Sequence, residues 1–231
     1  MVLHSKAFTP RLCEVIGDAQ LRVAVRAALA RAEGYGFTNR GPMRLCVELM
    51  FLCGSAFDTD PQHWRLGEIL RAPGDQMQQA QQIHERFLDY LEKVSGPRAV
   101  NVRNALRDLL TLVRTPLQLA NGFVDGMIEQ IYGVFPKKAA YVGEAGLRAL
   151  IDEALVEAER HQFAADRHRG LLVVLMFSFG HGCTNDPLYP WIARTLADHR
   201  IAGPERRAQR LEKKAVTWLE HVVARDSRAQ P

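Results

Sequence analysis

The stretch LCVELMFLCGSAFDTDP at 45–61 returns 126 positions later as LLVVLMFSFGHGCTNDP at 171–187. Held without a gap from Phe8 to Pro61, this offset gives 18 identities in 54 positions, among them Pro10/Pro136, Gly17/Gly143, Leu21/Leu147, Phe37/Phe163, Gly54/Gly180 and Asp60/Asp186. After a one-residue shift Trp64 meets Trp191, and after one more AQQIHERFLDYLEKV at 80–94 meets AQRLEKKAVTWLEHV at 208–222. Self-similarity at a fixed period is the signature of one structural unit used more than once. The chain is therefore expected to hold two tandem copies, 1–97 and 126–231, around an approximate internal twofold, with 98–125 as a helical linker.

Each copy reads as helices. Pro10 opens a short helix, and Asp18 is placed to cap a second that runs to about Ala32 with Leu21, Val25, Ala28 and Leu29 on one face. Gly34 and Gly36 stop it. Pro42 opens a third, RLCVELMFLC, which is apolar on most sides and hence central, and Gly54 caps its C-terminus. Asp60 and Pro61 suit the N-cap and first turn of a fourth helix carrying Trp64, which Pro73-Gly74 closes. A last helix covers about 75–94. In the linker, Val102, Leu106, Leu109, Leu110 and Val113 form one helical face, which Pro116 ends or kinks. No run combines strand alternation with β-branched residues and turn signals, so the expected class is all-α.

The balance of charge narrows the partners. Thirty basic against 26 acidic residues give +4, and residues 1–125 and 126–231 each carry 15 basic and 13 acidic side chains, too even to call for nucleic acid. The longest apolar stretch, 171–179, falls far short of the roughly 20 residues of a membrane helix. The N-terminal MVLHSKAFTPRL lacks the apolar core of a signal peptide, and Cys13, Cys46, Cys53 and Cys183 have no framework spacing. A cytoplasmic protein with reduced thiols, away from membranes, is expected.

Several residues invite a chemical reading. Asp58-Thr59-Asp60 has the form of the D-x-D nucleophile of haloacid-dehalogenase-like enzymes, but it follows a helix rather than a strand, and the second copy has Thr184-Asn185-Asp186. Asp58, Asp60 and His63, or His181, Cys183 and Asp186, are metal-ligating types, yet they do not recur between copies at ligand spacing, so neither metal nor cofactor is expected. His181 beside Cys183 lacks the geometry of a nucleophile and its base. In Asp60-Pro61 and Asp186-Pro187 the carboxylate is expected to satisfy orphan helix N–H groups, a role that serine would largely restore. On helix 204–224, Arg206, Arg207 and Arg210 form a basic surface interrupted by glutamates, whose charges i, i+3 and i, i+4 pairing would balance.

Together, the recurring Ala32-Glu33-Gly34-Tyr35-Gly36-Phe37, the LMFLCGSAFDTDPQHW segment and a closing amphipathic helix resemble small helical proteins encoded beside type VI secretion and Rhs-type toxin genes in proteobacteria. The pattern is carried by Met50, Phe51, Gly54, Phe57, Asp58, Asp60, Pro61 and Trp64, and in the second copy by Met176, Phe177, Gly180, Asp186, Pro187 and Trp191. The likeness covers some 60 residues per copy and departs from the pattern at Cys183 and Thr184. It implies a non-enzymatic protein that binds a secreted toxin: an immunity protein, or alternatively an effector-loading chaperone or adaptor. A metal-dependent hydrolase built on the 58–63 or 181–186 loop is the reading from a different class. Where equivalent turn positions differ, binding residues are expected: His181 and Tyr189, with Arg206, Arg207 and Arg210 on the basic helix. Trp64 and Trp191 are expected to fill the core.

Overall fold

The computed structural model describes residues 1–115, 117 and 119–228, and among these every regular element is helical. Pro116, expected to end the linker helix, lies outside the described residues. Two compact units divide the chain by contact rather than by repeat: residues 1–87 with 175–194, and residues 88–174 with 195–231. Residues 175–194, expected within the second copy, thus belong to the compact unit of residues 1–87.

In the first unit, α1 (Val2–Phe8), α2 (Pro10–Gly34) and α3 (Arg40–Cys53) pack on one another, followed by α4 (Trp64–Arg71) and most of α5 (Gln76–Tyr90). Leu21, Val25, Phe37, Val47, Leu49, Met50 and Ile83 are buried there, as are Leu175, Met176, Leu188 and Ile192 from the 175–194 segment. The second unit is built from α6 (Val100–Val113), α7 (Phe123–Val134), α8 (Pro136–Arg160), residues 166–174 of α9 (Asp166–Phe179) and α11 (Pro204–Arg228), with the short α10 (Pro190–Leu196) shared between the units. Its core holds Met127, Ile131, Leu147, Leu150, Ile151, Leu172, Leu211 and Leu219. None of the helices is long and apolar enough to cross a membrane among the described residues.

Local geometry follows the 126-residue offset closely. α2 and α8 are 25 residues long, α3 and α9 are 14, and each pair starts 126 positions apart. Gly17 and Gly143 break α2 and α8 with the same dihedrals, φ 77 and ψ 162. Two starts differ from expectation. The residue past the first break, Asp18, gives its carboxylate to Lys6 at 2.7 Å, and α3 begins at Arg40, ahead of Pro42. The expected 75–94 helix ends at Tyr90 and passes into a π turn over Leu91–Ser95; Asp75 caps its start by accepting from Met77 and Gln78 N–H.

After α2 the chain closes with a six-residue reverse bond, Phe37 N–H to Ala32 O at 3.0 Å, around Gly36 at φ 77. α8 ends in the same way, Phe163 N–H to Ala158 O at 2.8 Å, but around Gln162 at φ 60. An L side chain in this left-handed conformation carries a penalty that glycine does not. Gln162→Gly is expected to raise stability by about 1 kcal/mol, measured by urea unfolding, whereas Gly36→Gln lowers it by a similar amount.

Candidate functional site

The two repeated turns, 54–61 and 180–187, bind each other within the first unit. α3 ends at Gly54 (φ 95) and α9 at Gly180 (φ 94), each donating its N–H to the carbonyl four residues back, Met50 and Met176. Five residues, 55–59 and 181–185, then lead through turns to the aspartate. Asp60 Oδ1 accepts from Gln62 N–H at 2.8 Å and so caps the short 3-10 turn Pro61–His63, whereas Asp186 Oδ1 accepts the equivalent bond from Leu188 N–H at 2.8 Å in a turn, the expected helix starting only at Pro190. The second oxygen is used elsewhere. Asp60 Oδ2 accepts from His181 N–H at 2.8 Å, and Asp186 Oδ2 accepts from Ser55 N–H at 2.7 Å. Ser55 and His181 are equivalent under the offset, as are Asp60 and Asp186, so each turn does to the other what the other does to it.

The glycines meet at the same place. A Cβ on Gly180 would lie 2.6 Å from Cys53 O and 3.4 Å from Gly54 Cα, while one on Gly54 would strike Phe179 O and lie 3.3 Å from Gly180 Cα. Glycine is required here because backbone approaches backbone. Both aspartates are buried, at 0% and 2% exposure. Burial pushes the Asp186 carboxyl above its ordinary value, against the pull of the Ser55 and Leu188 N–H groups. Around the crossing, Gln62 Nε2 donates to Asp60 Oδ2 and to Met176 O, and Gln20 Nε2 donates to Pro187 O.

Asp58 has a different task. Its buried carboxylate pairs with Arg31 and accepts from Tyr35 Oη at 2.6 Å, and Arg71 donates to its carbonyl. Burial first, then the Asp58 bond, raise the Tyr35 phenol; burial, then the Asp58 charge, push the Cys46 thiol up to about 12. Arg31 and Arg71 escape motif reading and Tyr35 gains no role from the 32–37 segment, yet for Arg31 and Tyr35 comparison of positions 126 apart contains the signal. Where Asp58 becomes Thr184, Arg31 becomes Glu157 and Tyr35 becomes His161. Glu157 then pairs with Arg160 and His161 in the second unit.

The His181 ring lies against Thr59 Oγ1 at 2.9 Å and Ala56 O at 3.2 Å. Half-buried Tyr189 packs on Phe179 with ring centroids 4.4 Å apart, and Trp191 meets the same ring edge-on at 6.4 Å. Trp64, expected in the core, is 43% exposed, with Arg65 over its ring at 4.6 Å; the guanidinium shields that face and removes the need to bury it. Arg206 and Arg210 are exposed on α11, and Arg207 is half-buried. Cys183 is fully buried, and no group of three or more His, Cys, Asp or Glu side chains among the described residues is arranged to hold a metal ion. Aspartates from the two loops proposed for metal are engaged instead by N–H donors, Arg31 and Tyr35. No protein-family model, curated protein or solved structure matches the chain.

Proposed function

We propose that the chain is two tandem copies of one helical unit related by an approximate internal twofold, and that it acts as a non-enzymatic cytoplasmic binding protein, an immunity protein that neutralises a type VI secretion effector toxin by direct binding. One observation carries this reading: the most chemically suggestive residues, Asp58, Asp60 and Asp186, have their carboxylate oxygens engaged by internal donors. Groups held in this way build a rigid frame, and a rigid frame presents its surface to a partner. The family resemblance supplies the partner's class.

Co-expression with the effector encoded beside the gene tests the proposal. The intact protein is expected to protect the cell and to co-purify with the effector. A protein that raises effector level or export without protecting acts as the chaperone or adaptor, and one that binds no neighbouring effector is not an immunity protein. Under the metal-dependent hydrolase reading, a chelator lowers the thermal midpoint; under the proposal, the midpoint stays where it is.

A further inference from the structure

Over residues 204–225, helix α11 carries cations at Arg206, Arg207, Arg210, Lys213, Lys214 and Arg225 and glutamates at 205, 212 and 220. In the sequence these alternate, which suggests mutual pairing along the helix, but the structure pairs them differently. Glu212 is taken by Arg167 of α9 at 2.5 and 2.9 Å, and Glu220 by Arg114, just past α6, at 2.8 Å. Glu205 accepts from Gln209 at 3.5 Å. Lys214 donates to Thr195 Oγ1 at 2.7 Å, and Asp198, in the preceding loop, is held by Arg200. Arg206, Arg207, Arg210 and Lys213 are left with no acidic partner among the described residues. Arg207 Nε is also buried without an acceptor among them.

Arg206, Arg210 and Lys213 stand at i, i+4 and i+7, on one face of the helix, and all three are exposed. At 1.5 Å per residue the stripe is about 10 Å long. Glu212 and Glu220 are engaged by Arg167 and Arg114, and only Glu205 stays beside the stripe, so its three positive charges are not cancelled locally. We propose that this stripe docks an acidic, carboxylate-bearing face of a protein partner; the inference names the chemistry of the partner and rests on the binding role proposed above. Carboxylates suit the exposed guanidinium forks of Arg206 and Arg210, which offer paired donors. Nucleic acid suits the stripe less well. Three cations fall short of the roughly 6–10 phosphate contacts of a strong footprint, and exposed Glu205 sits in the same turn.

Binding of labelled poly-L-glutamate and of a 20-base-pair duplex of random sequence to the full chain at physiological salt, read by fluorescence anisotropy, tests this. Poly-L-glutamate is expected to bind more tightly than the duplex. The Arg206→Glu/Arg210→Glu/Lys213→Glu variant should bind it at least tenfold more weakly with an unchanged thermal midpoint, and Arg210→Ala/Lys213→Ala should fall between. Affinity within twofold of wild type in the triple variant overturns the stripe, as does tighter binding of the duplex, which would make this a nucleic-acid surface. The neighbouring effector separates the two claims. If it binds wild type and triple variant equally, the stripe is wrong and the immunity role stands; if it binds neither while poly-L-glutamate still depends on the stripe, the immunity role is wrong and the stripe stands.

Discussion

Gly54→Ala and Gly180→Ala are each expected to lower stability by about 3–5 kcal/mol, the sum of forcing an L residue into a glycine-only conformation and overpacking a closed site. Both glycines sit near φ 95, with ψ 157 at Gly54. The atoms a methyl group would strike are main-chain carbonyls, Phe179 O for Gly54 and Cys53 O for Gly180, which have no rotamer by which to withdraw. A loss of this size is a large part of the 5–15 kcal/mol that holds a domain folded. Gly34→Ala, at the end of α2 where a Cβ meets no described atom within 4 Å, is the control and should be near neutral. Urea unfolding of the three variants decides the matter: losses below about 1 kcal/mol at both crossing glycines would mean that the backbones do not meet there.

Asp60→Ala and Asp186→Ala should each cost about 2–4 kcal/mol, because two separate contributions are lost. The bond to the N–H two residues on, a cap of the 3-10 turn at Asp60 and its counterpart in the 187–188 turn at Asp186, accounts for about 0.5–2 kcal/mol. The remainder comes from the facing turn, where His181 or Ser55 is left with an N–H lacking its acceptor, an omission worth about 1–3 kcal/mol. Serine has one side-chain oxygen and so restores the cap but not the second bond. The near-complete rescue expected from the Asp-Pro pair alone therefore becomes a rescue of about half. Asparagine keeps one acceptor but turns an NH₂ donor toward an N–H donor, and should be no better than serine. Chemical unfolding of the alanine, serine and asparagine series at each site checks the ordering, and full rescue by serine would leave only the cap.

The parts of this arrangement that were readable from sequence are those that depend on near neighbours. Pro10 at the start of α2, Gly54 and Gly180 at helix ends, and the carboxylate beside Pro61 and Pro187 act within a turn of where they stand, so their types reveal their roles. The second oxygen of Asp60 reaches a residue 121 positions away, and no local pattern encodes that reach. The Asp58 cluster was half legible, through the joint change of positions 31, 35 and 58 between copies. Trp64 was misread because its size suggested burial, while the residue that makes exposure acceptable, Arg65, looks like any surface cation. The basic surface at Arg206, Arg207 and Arg210 was legible, but the pairing of Glu212 and Glu220 depends on which residues lie beside α11, and so it was not legible that these glutamates leave the surface uncancelled. The compact units, too, follow packing and not repetition, which is why 175–194 joins the first.

Amide hydrogen exchange at Ser55 and His181 tests the reciprocal crossing most directly. In the intact protein both amides should be among the slowly exchanging set, since each is held by a buried carboxylate of the other turn. Asp60→Ser should selectively speed exchange at His181 and leave Ser55 protected; Asp186→Ser should do the reverse. Unchanged protection at both amides in both variants would show that the turns do not hold each other, and the account of Asp60 and Asp186 as a mutual clasp would be wrong.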